Sequence, residues 1–392
     1  MKAATSAVAL AALIAAAPAP GAPFRPAADD EVVETLPARA TDPRMRELGE
    51  LRQAWQRRPQ DLDAAVRLAR RYYEETAAEG DPRYVGYAQA VLAPWWNQPD
   101  PPPAARVMRA ILLQFGHDFD AAIADLDGAL RADPSNGEAW AWRAAIRLVQ
   151  ARYAEAREAC ERLLQHASPL VGTACVAQVD SLTGRAAAAA EAIRAALQRS
   201  ADADAGERLW ALTRLGEIEE RRGRTAQAEA AFREALALDV ADGYLLGAYA
   251  DFLLDRGRPA EVVTLLKDRS RSDVLLLRLA LAAKALRAPA LAGWESDLAA
   301  RFAAARLRGD KLHQKEESRF RLGVQGQVQP ALALARENYA LQREPADARV
   351  LLEAAVAARQ PEAAEPVLAW MGQSGIESVV LSVLAQQLKG VR

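Results

Sequence analysis

Small residues recur along the middle of the chain at a near-constant step. Ala122, Ala156, Ala189, Ala228 and Val262 are separated by 34, 33, 39 and 34 positions. Twelve positions before each lies a second small residue: Ala110, Ala144, Ala177, Gly216 and Ala250. Four positions after each lies a bulkier apolar one: Leu126, Cys160, Ile193, Phe232 and Leu266. A period near 34 with small side chains at two fixed phases predicts stacked helix–turn–helix units. The small residues let paired helices cross closely, and the larger ones fill the space towards the next unit. The excess in the third step falls on residues 200–206, a small polar loop.

The flanking sequence reads as helix too. Residues 42–57 and 61–78 predict a first hairpin able to cap the stack, and 82–93 a further helix before the proline-rich break at 94–103. Beyond residue 270 the pattern weakens, but helices are predicted over 273–286, 291–308, 315–323, 328–345, 350–358, 362–372 and 376–388. Pro345 follows Val240 by 105 positions, three periods of 35, so residues 271–392 are expected to continue the stack in degenerate form. Almost no stretch alternates apolar and polar residues with β-branched enrichment, so strands are not expected. The fold class is all-α.

The residues within the period resemble those of the tetratricopeptide repeat family. Residues 208–240 carry Leu212, Leu215-Gly216, Gly223, Ala228, Phe232 and Ala235 where the family has W, LG, G, A, F and A. Residues 138–169 carry Trp140, Ala144, Tyr153 and Ala156; residues 104–134 carry Ala110, Phe119, Ala122, Ala129 and a closing Asp133-Pro134. The resemblance spans 104–270, with Cys160 in place of the usual aromatic and Val240 in place of the closing proline. It implies a right-handed α-solenoid that binds a protein or peptide. In family register the groove is formed from Met108, Ile111, Gln114, Ala141, Gln178, Ser181, Thr213, Arg214, Glu217 and Asp251. That set lacks the Lys/Asn/Arg constellation with which some family members hold a peptide's terminal carboxylate. A merely solvated groove is the competing reading.

Composition narrows the function further. With 50 basic and 52 acidic residues the net charge is −2, which argues against nucleic-acid binding. Met1-Lys2 followed by a 15-residue apolar run predicts a secretory leader over residues 1–21, cleaved before Ala22, and a flexible linker over 22–43. No later stretch is apolar enough to span a membrane, so stable insertion after cleavage is not expected. A periplasmic or secreted protein follows, with a helical cap over 44–103. Six of the 16 Trp and Tyr residues fall between Tyr72 and Trp96. Tyr84, Tyr87, Trp95 and Trp96 form either a platform for a glycan or small molecule, or cap packing.

Catalysis and cofactors find no support. His117, His166 and His313 make no metal-ligand pair at i+3 or i+4 with each other or with cysteine. No nucleophile elbow, zinc-protease or phosphate-loop motif is present, so no metal, cofactor or catalytic residue is expected. Cys160 and Cys175, the only cysteines, lie on consecutive antiparallel helices, eight and about six positions from the turn at Ser168-Pro169. Heights that differ by only a few ångström on neighbouring helices predict a disulfide; two buried free thiols are the alternative. The sequence reading is thus an exported, non-catalytic scaffold for a protein partner in the cell envelope.

Overall fold

The computed structural model describes residues 42–309 and 312–390. The predicted leader, the cleavage before Ala22 and nearly all of the linker lie outside the described residues. Residues up to Gly49 form one compact unit, whose described part opens the first helix, α1 (Pro43–Arg57); everything from Glu50 onwards forms a second. Among the described residues there is no strand.

The second unit is built from helical hairpins. A cap of α2 (Leu62–Glu79), α3 (Arg83–Val91) and the single turn α4 (Ala93–Trp96) leads into five pairs. These are α5 (Pro103–Phe115) with α6 (Phe119–Ala132), α7 (Gly137–Val149) with α8 (Tyr153–His166), and α9 (Pro169–Leu182) with α10 (Ala186–Arg199). Next come α11 (Ala205–Arg221) with α12 (Thr225–Leu236), and α13 (Gly243–Asp255) with α14 (Pro259–Leu266). Side-chain oxygens of Asp61, Asp118, Asn136, Ser168 and Asp242 accept from the third amide of the helix each precedes. Such caps satisfy donors that a helix leaves unpaired at its start, and so fix where each one begins.

The periodic positions do what their sizes demand. Ala122, Ala156, Ala189, Ala228 and Val262 are fully buried, as are Leu126, Cys160, Ile193, Phe232 and Leu266 four positions on. At Gly216 an added Cβ would lie 2.7 Å from the Phe232 ring, so only glycine permits this crossing. The 39-residue step is absorbed differently from the expected loop. Residues 200–204 alone link the helices, and the remainder lengthens α11 to 17 residues. Cys160 on α8 and Cys175 on α9 are joined in a disulfide, their Cα atoms 5.3 Å apart.

The rest of the chain is helical but does not simply prolong the stack. It comprises α15 (Asp273–Leu286), α16 (Leu291–Leu307), α17 (Gln314–Arg319), α18 (Val328–Leu341), α19 (Pro345–Ala358), α20 (Glu365–Ser374) and α21 (Val379–Lys389). A π-helical turn, Phe320–Val324, follows α17, and a 3-10 turn, Pro361–Ala364, precedes α20. Pro345 opens α19 instead of closing α18, as suits a residue without an N–H at a first helical position.

These helices return to earlier hairpins. The Arg343 N–H donates to the Val149 carbonyl at 2.8 Å, and Trp370 Nε1 donates to the Tyr153 hydroxyl at 2.9 Å. The Ala186 N–H donates to Glu377 Oε1 at 3.2 Å, and Gln342 meets His117. In a simple solenoid each unit touches only its neighbours. Here the turns after α5, α7 and α9 are each touched by a segment at least 190 positions later.

Candidate functional site

The return of the C-terminal helices forms one side of a half-open cavity of about 320 Å³. Its walls come from α9, α11, α13, α15, α17, α19 and the start of α21. Of the residues expected to form a groove, Gln178, Arg214, Glu217 and Asp251 line it. The others do not. Met108 and Ile111 are fully buried core. Ser181 and Thr213 are buried, with hydroxyls donating to the backbone carbonyls of Gln178 and Leu209. Gln114 donates to the Tyr73 hydroxyl at 3.4 Å, and Ala141 packs beside the Cys160–Cys175 cluster. Four of the ten residues assigned by family register thus line the cavity, and the other six lie in the core or pack against neighbouring helices.

Most charges around the cavity are committed to one another. Asp251 on α13 accepts from Arg278 on α15 at 2.6 Å and from Arg319 on α17 at 2.8 and 3.0 Å. Burial pushes its carboxyl up, but the two guanidiniums outweigh that and hold it well below the usual range. Arg349 on α19 makes a two-pronged pair with Asp255 at 2.6 and 2.7 Å and reaches Glu353 at 2.7 Å. Lys315 lies 3.5 Å from Asp347, whose other oxygen accepts from the Glu344 N–H. On α11, Arg214 pairs with Glu217 at 2.9 Å and lies 4.4 Å over the Tyr244 ring; the Tyr244 hydroxyl donates to Glu217.

Three wall residues have capacity left. Arg221 donates one N–H to Ser181 Oγ at 2.9 Å, has no carboxylate at ion-pair distance among the described residues, and keeps a buried Nε without a partner. The Glu220 carboxyl, which lines the cavity, has no hydrogen-bond or ion-pair partner among the described residues. Burial, reinforced by the nearby Asp255 charge, pushes its carboxyl up to about 8. Gln178, only 9% exposed, holds a buried Oε1 with no donor. Sequence reading missed Glu220, Arg221, Tyr244, Lys315 and Glu344. Extending the Arg214–Glu217 stripe by one more helical turn would have reached Arg221; nothing local marks Lys315 or Glu344.

The aromatic segment is two groups. Tyr72, Tyr84 and Tyr87 cluster with ring centroids 5.6 to 6.0 Å apart, Tyr87 being 50% exposed. Trp95 is 8% exposed and belongs to the core, while the Trp96 carbonyl accepts from Arg109. The Trp95 ring is therefore not exposed as a platform would require. Among the described residues no group of three or more His, Cys, Asp or Glu is placed to hold a metal, and no helix is long and apolar enough to cross a membrane.

The tetratricopeptide repeat family model matches residues 116–169, from the end of α5 to the start of α9. No curated protein matches the sequence. Among solved structures, the chain is similar to the APC/C hetero-tetramer Cut9–Hcn1, with 11% identity over 88% of this chain and 52% of that one, at a TM-score of 0.41. It is also similar to yeast Tom70, with 13% identity over 88% of this chain and 62% of that one, at a TM-score of 0.38. The chain thus matches about half to three-fifths of the length of those two proteins. Neither likeness bears on function.

Proposed function

We propose that the chain is an exported, non-catalytic helical-repeat scaffold that holds a protein or peptide partner in the cell envelope. The disulfide between Cys160 and Cys175 carries the export part of this reading. The chain's entire cysteine complement is spent on it, and such bonds persist in oxidising compartments and are rare in reducing ones. The predicted leader agrees with that. The repeat hairpins support a binding role, because stacked helix pairs present extended surface. With the inner helices partly covered by α19 and α21, the partner surface of this reading lies on the outer flank of the hairpins.

Fractionation of cells expressing the full chain, followed by thiol titration of the unfolded, unreduced protein, tests the reading. The expected result is a chain in the exported fraction, starting near Ala22, with no reactive thiol. Retention inside the cell with two reactive thiols would overturn it. A partner crosslinked in the envelope should be lost on substitution of exposed hairpin residues.

A further inference from the structure

The cavity behind α19 has features that a protein-binding scaffold does not need. Its wall holds unused donors and unused acceptors together. On α11 the adjacent Glu220 and Arg221 both line it, the first without a partner and the second bonded only to a neutral hydroxyl. Ser181, fully buried, fixes that guanidinium by accepting its N–H while donating to the Gln178 carbonyl. Arg221 is thus held in place with its Nε free, and the buried Oε1 of Gln178 is free as well. Buried polar groups of this kind normally find partners, and those that do not call for an explanation.

The pattern of vacancies selects the ligand's charge. A simple anion would satisfy Arg221 but hold Glu220 protonated beside it, its carboxyl never ionising against a counter-charge. A simple cation would satisfy Glu220 and leave Arg221 unpaired. A molecule with both charges satisfies both. The volume of about 320 Å³ lies at the lower end of small-molecule sites. At roughly 30 Å³ per water it holds about ten waters, the bulk of a dipeptide.

We propose that this cavity binds a small zwitterion, an amino acid or very short peptide with free ends, with its carboxylate on Arg221 and its ammonium on Glu220. Gln178 Oε1 then accepts an N–H of the ligand. Tyr244, half exposed where it lines the cavity, covers the ligand's apolar part. The proposal goes beyond the scaffold reading and does not depend on it, since the partner surface lies elsewhere. An ammonium beside Glu220 also favours its ionised form, so binding near neutral pH should release a proton from a carboxyl that titrates at about 8 in the empty site.

Titration calorimetry on the exported protein, with dialanine, N-acetyl-dialanine and dialanine amide as probes, tests this. Dialanine should bind, and each blocked form should bind at least about tenfold more weakly, as expected for losing one charge-assisted contact. Arg221→Gln should bring dialanine down to the affinity of its amide. Glu220→Gln should bring it down to that of the acetylated form and abolish proton release, read as a dependence on buffer ionisation enthalpy. Arg221→Lys, which keeps the charge, guards against a folding defect and should retain part of the affinity. Equal binding of dialanine and either blocked form would overturn the proposal in favour of a plain ion site. No binding of dialanine at millimolar concentration would also overturn it. Capture of the envelope partner by the same variants should be unchanged, so failure here leaves the scaffold reading standing.

Discussion

Between α6 and α12 the hairpins meet through alanine, glycine and a few larger apolar side chains: Ala156 and Cys160 with Cys175, Ala189 and Ile193 with Ala177, Gly216 under Phe232. Between α13, α17 and α19 they meet through charge: Asp251 with Arg278 and Arg319, Asp255 with Arg349, Lys315 with Asp347. The first kind of contact joins positions fewer than 20 residues apart and recurs about every 35. The second joins Asp251 to Arg319 across 68 positions and Asp255 to Arg349 across 94, and does not repeat. Close crossing of small residues is non-directional and tolerates many sequences. Paired charges away from bulk water are directional and need both members. The stack is therefore held by a contact that recurs, and the inner lining by pairings that each occur once.

Breaking the charged region should have the largest effect. Asp251→Asn leaves Arg278 and Arg319 without their counter-ion and is expected to cost roughly 3–5 kcal/mol in chemical denaturation. The pH dependence of stability separates the two signs of shift. Asp251 is held below its ordinary 3.8, so its contribution is complete above that value and is lost as pH falls through and below it. Glu220 is raised from 4.5 to about 8, so the folded chain binds the extra proton between those limits. Stability from this group should fall as pH rises from about 4.5 to 8. Glu220→Gln should flatten that decline in thermal melts, while a decline identical to that of the parent would assign it to another group.

The apolar region predicts smaller, local changes. Replacing both Cys160 and Cys175 by serine opens a 15-residue loop and should cost about 3 kcal/mol in the chain-entropy description. Ala156→Leu should cost roughly 1–3 kcal/mol by overpacking the α7–α8 crossing. Its neighbour Glu155, half-buried and paired with Arg147 and Arg152, should lose less than about 1 kcal/mol on Glu155→Ala. Equal losses at positions 155 and 156 would break the proposed register.

The two regions were unequally legible in the sequence. Helix extents were readable where local signals mark the ends: 273–286 and 61–78 were expected nearly as observed, because of capping side chains and glycine, whereas the boundary between α18 and α19 was misplaced at Pro345. The small-residue period gave the packing of α5 to α14, and helix spacing gave the disulfide. The docking of α19 to α21 was not readable. Arg343 with Val149, or Glu377 with Ala186, is a pairing of single residues with no periodic companion. For the same reason the cavity that Gln178, Arg214, Glu217 and Asp251 share with Lys315, Glu344 and Arg349 went unseen.

The Arg343 amide tests the central claim most directly. It lies between the last turn of α18 and the first of α19, where an N–H has no helical acceptor, and its only observed acceptor is the Val149 carbonyl, 194 positions earlier. Residue-resolved hydrogen exchange on the folded chain reads that single bond. If the C-terminal helices close over the inner helices of the stack, Arg343 should be strongly protected, and Asp251→Asn should reduce its protection more than that of Ala156 or Ala189. Exchange of Arg343 at the rate of an unstructured amide, with the stack still protected, would contradict the account.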